Sequence, residues 1–101
     1  MARKPSELRS ESSRETLEKA GAVLMSARAP RWERLEALGT LLSAYSLGSR
    51  TATRGLQEFQ ALFPSWRLPP RERAMVVAHE AFAEAKALKA AHRAGETLPG
   101  Y

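Results

Sequence analysis

The chain contains no cysteine, no aspartate, no asparagine and no isoleucine, and each absence narrows what it can be. Without cysteine there is no disulfide framework and no thiolate metal site, which suits a reducing compartment, so the cytoplasm is the expected location. Without isoleucine, and with three valines in 101 residues, there is little material for a sheet. Long apolar runs are missing too. The basic start Met1-Ala2-Arg3-Lys4-Pro5 is followed by no apolar run until about Ala20, and that run is short and interrupted, so neither a signal peptide nor a membrane span is expected.

The inventory for catalysis is equally thin. The acids are eleven glutamates, mostly interleaved with arginine and lysine, and there are two histidines. His79 and His92 lie on one expected helix, about 19 Å apart at roughly 1.5 Å per residue, too far to share a metal within one chain. No phosphate loop, dinucleotide fingerprint or HExxH run is present. The expectation is a protein without catalysis, cofactor or metal.

What the chain does have is helix-forming residues: eighteen alanines and thirteen leucines. They predict an all-α fold, a single small four-helix domain over residues 1–101, with 1–12 and 95–101 as flexible ends. The first helix is expected from about Ser6 to Ala27, with Leu8, Leu17, Ala20, Leu24 and Ala27 at helical spacing. Pro30 then stops that helix or opens the next. Trp32, Leu35, Leu38, Leu41, Leu42 and Tyr45 draw the strongest amphipathic stripe of the chain.

Leu47-Gly48-Ser49 reads as a break, with Gly48 suited to positive φ and Ser49 suited to cap a third helix. That helix is expected to run to about Phe63, where Pro64 ends it. Pro69-Pro70 opens a long fourth helix that should reach Ala94 and close at Gly95. Met75, Ala78, Phe82, Ala85 and Leu88 mark its expected inner side, and its alanines would admit another helix closely. Trp32 is expected in the core and Trp66 as a plug at the end of the bundle, although either could instead stack on a base or meet a cation.

The net charge is +5, carried by twelve arginines against four lysines. Arginine presents a planar fork that suits phosphates and guanine edges, which makes nucleic acid a candidate partner; the same charges also suit solvated helix faces.

The run Leu41-Leu42-Ser43-Ala44-Tyr45-Ser46-Leu47-Gly48-Ser49-Arg50-Thr51-Ala52-Thr53-Arg54-Gly55-Leu56-Gln57-Glu58-Phe59-Gln60 resembles the helix-turn-helix of many bacterial and phage regulators. Leu42, Tyr45 and Leu47 would supply the apolar contact of the first helix and turn, and Ala52, Leu56 and Phe59 the inward stripe of the second. The resemblance implies a DNA-facing set of Arg50, Thr51, Thr53, Arg54 and Gln57. Arg3, Lys4, Arg31 and Arg34 would add phosphate contacts. It departs from the family's pattern in the turn, where Ser46 stands at the usual glycine and Gly48 at the usual polar cap.

A shorter likeness, Leu68-Pro69-Pro70-Arg71-Glu72-Arg73 to the opening of the promoter-reading domain of bacterial sigma factors, is explained as well by a proline-initiated helix with an acid in its first turn.

Two readings therefore stand. One is a small regulator or accessory factor that binds double-stranded DNA, pairing two copies through residues 70–94. The other is a helical module that docks on a protein partner in a larger complex through the fourth helix or the Trp66 loop, with residues 41–60 as ordinary bundle helices. RNA binding is a third and lesser alternative, since regularly spaced aromatic platforms are lacking.

Overall fold

The structure is a computed structural model that describes the backbone of residues 5–97 and the side chains of residues 14–93. It consists of four helices, α1 (Pro5–Leu24), α2 (Arg31–Ser46), α3 (Arg50–Leu62) and α4 (Arg71–Thr97), with no strand among the described residues. The fold is thus all-α, with the expected four helices. None of them is long and apolar enough to cross a membrane. The side chains of the expected flexible ends, 1–12 and 95–101, lie outside the described residues.

Local chemistry sets most of the boundaries. α1 ends at Leu24, three residues before the expected Ala27, because the hydroxyl of Ser26 accepts the Arg28 N–H at 3.3 Å and turns the chain before Pro30. Pro30 is the extended N-cap residue of α2, and its carbonyl accepts the N–H groups of Glu33 and Arg34, both at 3.1 Å. At the other end of α2, Gly48 has φ +92°, the one positive-φ glycine among the described residues. The Gly48 N–H reaches the Tyr45 carbonyl and the Ser49 N–H the Ala44 carbonyl, both at 3.0 Å, the paired bonds of a Schellman motif. Ser49 then opens α3 by accepting the Ala52 N–H on its Oγ at 3.1 Å. Three residues thus finish one helix and start the next.

α2 is the central helix. Among the described residues α4 packs on α2 and on no other helix, whereas α1 touches both α2 and α3. Leu41, Leu42 and Leu56 are fully buried where these helices meet, with Ala37, Tyr45 and Ala52 beside them. Each such leucine contributes about 1.5–3 kcal/mol by leaving water. The Tyr45 hydroxyl donates to the Pro69 carbonyl at 2.9 Å and so pins the loop before α4 to the end of α2.

Two expectations about α4 need correction. The helix runs through Gly95 to Thr97. An internal glycine costs a helix only about 1 kcal/mol relative to alanine and does not oblige it to stop. Of the expected inner side, Ala78 and Ala85 are fully buried, but the buried line continues through Ala74 and Ala81 and not through Met75, Phe82 and Leu88. The alanines let the two backbones come close. Met75 and Leu88 are left half-buried on the flanks, and Phe82, 38% exposed, leans over the backbone of Gly39.

In the first half of α2, Trp32, Leu35 and Leu38 are half-buried, and the fully buried stripe begins at Ala37. Leu47, expected to join the apolar contact at the turn, is 82% exposed. The Schellman geometry points it away from the core, since the chain has already left α2 there.

Candidate nucleic-acid interface

α3 carries the candidate site, and its two faces divide as its sequence implies except at Thr51 and Thr53. Ala52 and Leu56 are fully buried and Phe59 is half-buried against the same core. Arg50, Arg54, Gln57 and Ala61 are all exposed. Their spacing of four, three and four places them on one ridge along the outer side of α3.

The other two residues of the expected set are placed differently. Thr51 and Thr53 are half-buried. The Thr53 hydroxyl donates to the Ser49 carbonyl at 2.7 Å, which engages it in the first turn of the helix. Thr51 faces α1 across a groove of about 680 Å³, which Arg14 and Glu18 line from α1 and Arg50, Thr51, Arg54 and Glu58 line from α3. The ridge and the groove share Arg50 and Arg54, so these two arginines stand where the outer face of α3 turns toward α1.

Arg54 Nε lies 3.6 Å from a Glu58 carboxylate oxygen, one helical turn on. With the two side chains 85% and 62% exposed, that pair contributes little, and the Arg54 guanidinium stays available to another anion.

Of the expected auxiliary cations, Arg31 and Arg34 are described, and both are placed by other contacts. Arg31 bonds Glu84 of α4 through Nη2 at 3.0 Å, tying the start of α2 to α4. Arg34 is half-buried, with its Nε enclosed and without a partner among the described residues. Arg3 and Lys4 lie outside the described residues.

A cation that the sequence does not bring to mind stands near α3 instead. Nη2 of Arg71, the first residue of α4, is 4.0 Å from where a Cβ on Gly48 would sit, beside the turn that leads into α3. The connection between Arg71 and that turn runs through the Tyr45–Pro69 hydrogen bond, a contact across 24 residues of sequence that no local pattern announces.

The aromatic residues are accounted for by packing. Trp32 lies under Lys89, whose Nζ is 4.8 Å from the ring centroid. Trp66 stands edge-on to Phe59 at 5.2 Å and 69°, and Phe59 meets Phe63 at 4.8 Å, so Trp66 closes the end of the bundle beside α3. Gln60, also on α3, accepts the Leu68 N–H on its side-chain carbonyl at 2.6 Å and fastens the same loop. His79 and His92 are both exposed, and among the described residues no three His, Cys, Asp or Glu side chains are grouped as a metal would require.

The fold and site define an all-α, four-helix domain whose third helix presents two arginines and a glutamine on its outer ridge. Comparison with known proteins returns no matching family model, no matching curated protein and no matching solved structure.

Proposed function

We propose that the chain is a small double-stranded-DNA-binding protein that acts by occupying a site, without catalysis, with α3 laid in the major groove. The observation that carries this reading is the exposed ridge Arg50, Arg54 and Gln57 on a helix whose opposite side is locked into the core by Ala52 and Leu56. The major groove, about 12 Å wide, admits one α-helix. Arginine suits the O6 and N7 acceptors of guanine, and glutamine the N6 and N7 edge of adenine. Thr51, on the shoulder of the ridge, would reach the sugar-phosphate backbone. The action belongs to the cytoplasm, in keeping with a cysteine-free chain.

A domain of this size with one reading helix gains affinity by pairing. α4 meets only α2 among the described residues, and Val76, Ala83, Ala87 and Ala90 remain exposed on its outer side, which suits a second copy through residues 70–94. The test of the DNA reading is a salt titration of the full chain against random duplex DNA, with sequencing of the bound fraction. A steep fall of affinity with salt and enrichment of one motif are expected. Absence of binding at low salt, or preference for duplex RNA, overturns the reading.

A second reading, docking on a protein partner, draws on Leu62, Phe63 and Val76, which are 64%, 47% and 55% exposed. The two readings part at Arg50→Ala/Arg54→Ala: DNA binding predicts loss of function in that double variant, whereas docking through the apolar side chains predicts none.

A further inference from the structure

We infer that Arg14 and Arg71 are phosphate anchors that flank the α3 ridge, so that the DNA backbone is held by α1 and α4 while α3 faces the bases. The inference rests on the DNA reading above and extends it to two residues outside the helix-turn-helix segment. Arg14 lines the groove between α1 and α3 together with Arg50 and Arg54, and its side chain is exposed. Arg71 is exposed as well, and its guanidinium stands beside Gly48, at the turn that delivers α3.

The two arginines come from helices that do not touch each other among the described residues, and each reaches the neighbourhood of α3 by a different route. α1 packs directly on α3, whereas the start of α4 is held by Tyr45 through Pro69. A helix seated in the major groove has a phosphate strand along either side, and cations beside it fix its register without reading sequence. Glu18 and Glu58 share the groove with Arg14, which confines its favourable anion contact to the exposed rim.

The experiment measures the slope of log affinity against log salt for the full chain on two duplexes, an enriched sequence and a scrambled one. Arg14→Ala and Arg71→Ala are each expected to make the slope shallower by about 0.9 and to weaken both duplexes by the same factor. Arg14→Lys and Arg71→Lys should restore the slope, since a point charge suffices for a phosphate. Arg28→Ala is the control: Arg28 is exposed in the loop between α1 and α2, outside both the α3 ridge and the pairing surface of residues 70–94, and its loss should leave the slope unchanged.

Unchanged slopes in the Arg14 and Arg71 variants, with the parent protein still binding DNA, would overturn the anchors and spare the DNA reading. A loss confined to the enriched duplex would overturn them by making these residues base readers. No binding by the parent protein removes both. All the variants replace exposed side chains, and an unaltered helical circular dichroism spectrum shows that a changed slope is not unfolding.

Discussion

The ring of Phe82 lies so close to the backbone of Gly39 that a Cβ at position 39 would come within 2.8 Å of its Cζ. That contact brings α4 onto α2 and explains a glycine in the middle of a helix, where alanine would otherwise be favoured by about 1 kcal/mol. Gly39→Ala should therefore destabilise the protein by about 1–2 kcal/mol, since the ring must swing away. In a Phe82→Ala background the same substitution should be neutral or stabilising. A double-mutant cycle by denaturant unfolding measures both, and an effect of one sign in both backgrounds would remove the steric explanation.

Ser49 closes α2 through its backbone and opens α3 through its side chain. Ser49→Ala keeps the first role and removes the second, so a loss of about 1 kcal/mol is expected, within the usual range for an N-cap. Ser49→Gly should cost only a few tenths of that unit. Thermal or urea unfolding of the two variants would show the order; an alanine variant as stable as the parent would mean that the cap bond contributes nothing.

Tyr45→Phe removes the hydroxyl that holds Pro69 and leaves the ring in the core. A loss of about 0.5–1.5 kcal/mol is expected from the missing hydrogen bond. Hydrogen exchange in the first turn of α4 should also quicken more than in the middle of α2. Equal protection across both regions would count against a pinning role.

On the proposed DNA reading, Arg54→Ala should weaken binding to an enriched duplex by about 1–3 kcal/mol and relax its sequence preference. The side chain is 85% exposed and its ion pair with Glu58 lies on the surface, so the fold should be unaffected. Competition between enriched and scrambled duplexes reads the preference directly; a variant that discriminates as well as the parent would take Arg54 off the reading ridge.

Much of the local structure was legible in the letters. Pro30, Gly48, Ser49, Pro64 and the Pro69-Pro70 pair sit where helices begin or end, and Gly48 takes the positive φ its position in the break calls for. The split of α3 into a buried line at Ala52 and Leu56 and an exposed line at Arg50, Arg54 and Gln57 comes from spacing alone. Gly95 misled because a glycine ends a helix only where the chain has reason to turn, and α4 continues past it.

The remainder depended on which surfaces met in space. The inward face of α4 runs through Ala74 and Ala81 as well as the expected Ala78 and Ala85, and leaves Met75, Phe82 and Leu88 to the flanks, because small side chains permit a close approach to α2, a preference that size-blind apolar periodicity misses. Arg31 is engaged by Glu84, 53 residues away, and Arg71 comes to the turn at Gly48 through Tyr45 and Pro69. The sequence by itself determined the four helices, the break at Gly48 and Ser49, and the alternation on α3 of buried Ala52 and Leu56 with exposed Arg50, Arg54 and Gln57, though not the half-buried places of Thr51 and Thr53, because such features depend on contacts within a turn or two of the chain. Tertiary packing alone decided which cations stand beside α3 and which are tied up elsewhere, because contacts between helices arise from shape and leave no mark at a fixed spacing.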